Sequence, residues 1–167
     1  MADKYIRNNA GTLTEKEATV VSAGAGDAGE IVALDNTGKL DNSVLPVGIG
    51  ADTAVVTAGE ALAAGDFVNI YNDTGAKVRK ADATTAGKEA HGFVLESVDN
   101  GDPATVYFEG TNTQVSGATA GIVFLATSAG GFTSTAPSST GNVVQKLGVA
   151  ISATAISFEG QQPIVLA

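Results

Sequence analysis

Residues 66–80, D-F-V-N-I-Y-N-D-T-G-A-K-V-R-K, decide the fold class of this chain. Residues 66–71 are rich in the aromatic and β-branched side chains that favour strands. N-D-T-G at 72–75 is a turn signal, and residues 76–80 read as the return strand. The stretch therefore predicts a β-hairpin.

Similar short apolar runs continue on both sides of this hairpin. D-N-G-D-P at 99–103 is a strong turn signal between two of them. Short strands separated by turns at this spacing are typical of a sandwich or a small barrel. We therefore predict an all-β body, with further strands at 53–57, 92–98, 104–109, 122–126, 132–135, 143–152, 155–158 and 163–166.

The body contains an internal repeat with an offset of 56 residues. The offset aligns the apolar runs and three pairs of glycines, which suit turn and bulge positions. Chance matching in a glycine-rich chain is the alternative. We predict two related β units, at about 64–98 and 120–154 within a body spanning 51–167, with these structural glycines: Gly65 and Gly121, Gly75 and Gly131, Gly92 and Gly148.

Residues 1–50 differ from the body, because small apolar anchors alternate there with turn signals. T-E-K-E at 14–17 matches a capping box and predicts one helical turn. A segment of this kind buries little surface on itself. We therefore predict an extended N-terminal arm that gains order on another surface.

Composition excludes several classes of function. The net charge is -9, so the electrostatic attraction behind non-specific nucleic-acid binding is missing. The chain has no cysteine, which excludes disulfides and thiol chemistry. The N-terminus lacks the apolar core of a signal peptide, and no segment has membrane-spanning length. We expect neither nucleic acid nor membrane as a partner, and synthesis without export.

Charge is unevenly distributed along the chain. Residues 110–167 contain only Lys146 and Glu159, whereas residues 1–109 hold the other 17 acids and 8 bases. Two explanations remain open: either these strands are well buried, or part of them packs against other protein, since the cores of interfaces are depleted of charge.

No motif in the chain predicts catalysis. His91 is the only histidine, and its place at the start of a strand suits a structural role. G-A-G-D-A-G at 24–29 matches G-x-G-x-x-G, but no strand–helix unit surrounds it, so we interpret it as a loop. The acidic turns lack EF-hand spacing, although one calcium ion at 99–102 is a minority alternative. We predict no enzyme activity, no cofactor and no metal site.

Two stretches carry a resemblance to known phage proteins. E-A-L-A-A-G-D-F-V-N-I-Y-N-D-T-G-A-K-V-R-K-A-D-A-T, with A-H-G-F-V-L-E-S-V and A-T-V-Y-F-E-G, resembles the head decoration (capsid cement) proteins of tailed bacteriophages. The stretch from Gly26 to Gly50 resembles a segment found in phage structural proteins, including fibre and tail proteins. The resemblance covers roughly residues 24–167.

The resemblance implies a barrel-like body on the outer surface of a phage head, made in the bacterial cytoplasm. It also implies an arm that contacts the major capsid protein, and often a homotrimer. A tail fibre or baseplate component is the main alternative, and a glycan-binding accessory protein is a further one that the scarcity of aromatic residues disfavours. The candidate contact residues in the arm are Tyr5, Ile6, Arg7, Leu13, Ile31, Leu34, Leu45, Pro46 and Val47.

Overall fold

The computed structural model describes residues 3–45 and 51–167, and the chain divides into two compact units between residues 50 and 51. The protein is all-β, as the sequence predicts, and its described residues contain no α-helix. Pro46 and Val47, two of the candidate contact residues, lie outside the described residues.

The first unit is built on a β-hairpin. Strands β1 (Lys4–Asn9) and β2 (Thr12–Glu17) pair antiparallel across a two-residue turn. Ala10 and Gly11 in this turn both have positive φ, as a type I′ turn requires. Two short 3-10 turns follow, at Ala25–Asp27 and Asn42–Val44.

The hairpin corrects two predictions for this region. The helical turn at 14–17 is wrong, because these residues belong to β2 and pair with β1 along its whole length. The described part of the predicted extended arm also folds back on itself, since Thr19 forms a parallel bridge with Val32. A capping-box pattern specifies only a local hydrogen bond, which a paired strand outweighs.

The second unit begins with a closed five-stranded barrel. Its strands are β3 (Thr53–Ala58), β4 (Phe67–Asn72), β5 (Ala76–Lys80), β6 (Gly92–Phe93) and β7 (Pro103–Tyr107). Around the barrel the order is β3-β5-β4-β6-β7, and β3 closes against β5 in parallel. The hairpin predicted at 66–80 forms β4 and β5.

An open five-stranded sheet follows. It contains β8 (Gly110–Asn112), β9 (Gly121–Leu125) and β10 (Phe132–Thr133). Two later strands complete it, β12 (Lys146–Ser152) and β13 (Ala155–Phe158). The order is β10-β9-β12-β13-β8. A separate pair joins β11 (Val143–Val144) to β14 (Ile164–Val165).

The barrel and the open sheet share one strand order. Going around the barrel from β5, the order β5-β4-β6-β7-β3 corresponds strand by strand to β10-β9-β12-β13-β8. The correspondence runs beyond the predicted repeat at 64–98 and 120–154, because it also includes β3 with β8 and β7 with β13. A duplication of one five-stranded unit predicts this arrangement.

The two copies differ in register. Gly92 pairs with Val68 in the barrel, so the 56-residue offset predicts that Gly148 pairs with Phe124. Gly148 instead pairs with Val123, next to a bulge in β12. A slip of one residue reverses the side of the sheet to which a side chain points. Val149 is therefore exposed, although its counterpart Phe93 is buried.

Gly92 and Gly148 nevertheless occupy equivalent positions. A β-carbon on Gly92 would overlap the carbonyl oxygen of Tyr107, and one on Gly148 would overlap that of Ser157. In both copies the neighbouring strand approaches too closely for a side chain. Glycine at these two positions therefore allows the sheet to form.

Two apolar clusters hold the second unit together. One fills the barrel and includes Val68, Val78 and Val106. The other packs Phe67 and Phe93 of the barrel against the open sheet, where Phe158 lies with its ring centroid 5.7 Å from that of Phe67 and 5.8 Å from that of Phe93. The barrel and the sheet thus share one core.

The open sheet does not close into a second barrel, because residues 65–67 of the barrel copy lie in its opening. The Asn112 Nδ2 donates to the Gly65 carbonyl over 2.9 Å, and the Phe67 N–H donates to the Gly130 carbonyl over 3.0 Å. Asn112 belongs to β8 and Gly130 comes just before β10. These bonds connect the two sides of the opening.

The strand predictions are accurate for the longer runs and less so elsewhere. The predicted strand 143–152 is interrupted at Gln145, and 92–98 forms only the two-residue β6. The strands β1, β2 and β8 were not predicted. Each of these depends on pairing with a distant or polar partner strand, which local apolar pattern does not reveal.

Candidate binding surfaces

The two faces of the β1–β2 hairpin have different surroundings. One face carries Tyr5, Arg7 and Lys16, all of which reach the carboxylate of Glu30. Lys16 Nζ donates over 2.6 Å and the Tyr5 hydroxyl over 2.8 Å, while Arg7 lies at 3.5 Å. The side chains on this face are therefore bound by Glu30 of the same chain.

Glu30 is the centre of this polar cluster. The hydrogen bonds from Lys16 and Tyr5 hold the pKa of the Glu30 carboxyl below its usual range, against the opposing effect of burial. Two of the predicted contact residues, Tyr5 and Arg7, thus bind Glu30 of the same unit, although the Arg7 side chain stays 41% exposed. Sequence analysis did not single out Glu30, because its partners come from strands 14 to 25 residues away.

The opposite face of the hairpin is free among the described residues. Ile6 is 63% exposed and Leu13 is 70% exposed. Ile6 pairs with Glu15, so Leu13 is its diagonal neighbour on the same face. The structure therefore brings these two predicted contact residues together.

A second apolar surface of the first unit is an open groove of about 640 Å³. Ile31, Val32 and Leu34 line it, and each is about half exposed. Ile31 and Leu34 were predicted contact residues, whereas Val32 was not. Leu45, another predicted contact residue, is partly buried after the 3-10 turn at Asn42–Val44 and does not line this groove.

The open sheet of the second unit also presents apolar side chains to solvent. Ile122 and Val149 form a cross-strand pair and are 53% and 40% exposed, and Ile151 farther along β12 is 61% exposed. Ser157 continues the row beside Val149. Burial therefore explains only part of the low charge of residues 110–167, because this outer row is both uncharged and accessible.

His91 has a structural hydrogen bond. Its Nδ1 accepts from the N–H of Ile70 over 3.0 Å. Within residues 3–45 and 51–167, no three His, Cys, Asp or Glu side chains are grouped closely enough to hold a metal ion. The same residues include no helix long and apolar enough to cross a membrane.

The glycine motif at 24–29 forms a loop, as interpreted from the sequence. Ala25–Asp27 is a single 3-10 turn, too short to receive a pyrophosphate. The Asp27 carboxylate accepts from the N–H of Ala23 over 2.6 Å. A dinucleotide site is therefore absent from this segment.

The first acidic turns bind their own backbone. The Asp35 carboxylate accepts from the N–H groups of Lys39 and Thr37, and these bonds hold its pKa below the usual range. Asp41 accepts from Ser43 in the same way, and its pKa is also lowered. These carboxylates are occupied by turn formation.

The six predicted structural glycines are distributed over the second unit rather than collected in one place. Gly65 lies at the opening of the sheet and Gly121 begins β9, while Gly92 and Gly148 lie under neighbouring strands. Gly75 and Gly131 follow the two hairpin turns, but only Gly75 has a positive φ. None of them forms part of the exposed apolar surfaces.

No protein-family model matches this chain, and a search among curated proteins finds no match either.

Proposed function

We propose that this protein is a non-catalytic structural protein of a virion. It binds the outer surface of a tailed-phage head and stabilises the shell by bridging major capsid protein subunits. The observation that carries the proposal is the exposed, uncharged row of Ile122, Val149 and Ile151. Contiguous apolar surface of this kind favours protein binding over small-molecule chemistry. The resemblance to head decoration proteins then selects the phage head as the partner.

The hairpin supplies a second contact surface in this proposal. Ile6 and Leu13 are large apolar residues on a free face, beside the ion pair of Lys4 and Glu15. An apolar centre with a charged rim is the usual composition of a protein interface. On this proposal the first unit contacts the capsid protein, and the open sheet meets a neighbouring subunit.

Modest affinity at each contact is sufficient for this role. A shell offers many identical sites, and a protein that touches two subunits gains affinity from the second contact without new chemistry. Bridging also adds interface across the seams between capsomers. The expected effect is a head that withstands more heating or internal pressure when decorated.

The direct test is binding of the full-length protein to undecorated phage heads. We expect saturable binding in proportion to the number of capsomers, and heads that open at a higher temperature. Binding only to tails would support the fibre or baseplate alternative and contradict the proposal. Binding only to host-cell glycans would contradict it as well.

Matched surface variants make the test specific. Ile122→Lys and Leu13→Lys each place a charge on one of the two surfaces, and we expect each to reduce head binding at least tenfold. Thr85→Lys adds the same charge at an exposed position in the loop between β5 and β6 and serves as the control. Equal binding by all three variants would contradict the assignment of these surfaces.

A further inference from the structure

The β1–β2 hairpin has two outer edges whose backbone groups lack partners among the described residues. In an antiparallel pair, residues whose backbone groups bond to the partner strand alternate with residues whose backbone groups point outward. The Ala18 N–H donates to the Asp3 carbonyl, so Asp3 and Ala18 are a bonded pair, and the other pairs alternate from there. By that alternation Tyr5 and Arg7 bond inward to β2. The outward-pointing N–H and C=O groups belong to Lys4, Ile6 and Asn8 on β1, and to Leu13, Glu15 and Glu17 on β2.

The two strands differ in formal charge, which is partly compensated within the copy, where Lys4 pairs with Glu15, and Arg7 and Lys16 reach Glu30. Strand β1 has two bases, Lys4 and Arg7, and no acid. Strand β2 has two acids, Glu15 and Glu17, and one base. All six residues of β2 are exposed, and residues 31–33 occupy its outer edge only beyond the strand, at Thr19. A further strand therefore has access to the edge from Leu13 to Glu17. An unpaired edge is a template for another strand, and charge decides which strand it accepts.

We propose that β1 of one copy pairs antiparallel with β2 of a second copy, in the register that the hairpin already uses internally. Lys4 of one copy then lies opposite Glu17 of the next, and Ile6 lies opposite Glu15. Pairing of β1 with β1 would instead collect four bases on two strands, and β2 with β2 would collect four acids. The charges therefore favour the contact between unlike edges.

The same pairing extends the apolar face of the hairpin. Ile6 and Leu13 are diagonal neighbours within one copy, and the shared register makes Ile6 of the next copy a diagonal neighbour of Leu13 as well. The exposed side chains of Ile6 and Leu13 in successive copies then form a continuous apolar band. Because the contact joins two different edges, it leads to a closed ring or to an open chain of copies.

This inference does not depend on the phage proposal. It concerns contacts between copies of the chain and can be measured in purified protein without heads. Loss of head binding with intact self-association would overturn only the proposed function, and the converse would overturn only this inference.

Engineered cysteines test the pairing directly, because the full-length chain has none of its own. Ile6→Cys and Glu15→Cys are made as separate variants of different mass and mixed under oxidising conditions. Directly opposite strand residues have Cα atoms about 5.5 Å apart, within reach of a disulfide. We expect a covalent heterodimer to predominate over either homodimer. Equal amounts of all three products, or no cross-link, would overturn the pairing.

Proline provides an independent test. Glu15→Pro removes an outward N–H but no backbone hydrogen bond inside the hairpin, whereas Glu15→Ala keeps the N–H. Both variants lose the side-chain pair with Lys4 equally. Light scattering of the full-length protein over a range of concentrations should show self-association weakened at least tenfold by Glu15→Pro and less by Glu15→Ala. A monomeric wild-type protein at about 100 μM, or equal association of both variants, would overturn the proposal.

Discussion

The side chain of Gln145 forms two hydrogen bonds with the backbone of Ala90, accepting from its N–H over 2.8 Å and donating to its C=O over 2.9 Å. Gln145 precedes β12 in the open sheet, and Ala90 precedes β6 in the barrel. The side chain is buried, and its Nε2 also donates to the Gln161 carbonyl over 3.2 Å.

Replacing Gln145 with leucine should therefore destabilise the second unit. The change leaves two buried backbone groups of Ala90 without partners, and we expect it to lower the free energy of unfolding by about 2–4 kcal/mol. Denaturant unfolding measures the loss. Gln162→Leu, at an exposed residue, is the control and should change stability by less than about 0.5 kcal/mol. Similar losses in both variants would contradict the role of Gln145.

Phe67 tests whether the barrel and the sheet share one core. Its ring is fully buried between Phe93 and Phe158, so Phe67→Ala should cost about 3–5 kcal/mol of unfolding free energy. Because the cluster spans both copies, we expect one cooperative transition at lower denaturant. Fluorescence of the tyrosines together with circular dichroism measures it. Two separate transitions in the wild-type protein would argue against a shared core.

A comparison of Gly148 with Gly121 distinguishes the energetic cost of backbone strain from that of steric crowding. Both have positive φ, at 145° and 131°, but only Gly148 lies under a carbonyl of the adjacent strand. Gly121→Ala should cost about 1–3 kcal/mol from strain alone. We expect Gly148→Ala to cost about 1–3 kcal/mol more, because β13 must also move. Thermal and denaturant unfolding compare the two, and equal losses would contradict the crowding argument.

The Glu30 cluster predicts a dependence on pH. Hydrogen bonds lower the folded-state pKa of Glu30, so its stabilising effect is complete above the unfolded-state pKa, about 4.3. That effect is lost as the pH falls through the lowered pKa of the folded state. We expect the protection of the β1 and β2 amides, measured relative to the intrinsic exchange rate at each pH, to decrease in this acidic range.

Two variants check the assignment to Glu30. Glu30→Gln should make hairpin exchange fast already at neutral pH and remove its dependence on acid. Glu15→Gln, which breaks only the exposed pair with Lys4, should leave that dependence in place. Hydrogen exchange followed by mass spectrometry distinguishes the two. An acid response that survives in Glu30→Gln would show that another group causes it.

Local pattern was a good guide to the longer strands. The hairpin of β4 and β5 was predicted from one run, because alternating β-branched residues around N-D-T-G specify both strands and the turn. The same approach failed for β2, whose T-L-T-E-K-E sequence has one apolar residue. Its conformation comes from pairing with β1, which outweighs a local capping signal.

The candidate contact residues of the arm, which the sequence analysis placed in one group, differ in their exposure and their contacts in the structure. Ile6 and Leu13 lie on a free face, while Tyr5 and Arg7 turn towards Glu30. Adjacent strand residues point to opposite faces, so Tyr5 and Ile6 cannot share a surface. Which face is covered depends on Glu30, and that contact has no signature in the local sequence.

By itself, the sequence determined the all-β class, the main hairpin and the glycine offset of 56 residues, because turns and strand alternation are local properties. Only the tertiary structure decided that one copy closes into a barrel and the other stays open. The reason is physical: Phe67 and its neighbours from the first copy enter the opening of the second and bond to both of its sides. The two related sequences therefore fold into a closed barrel and an open sheet, because each copy packs against the other.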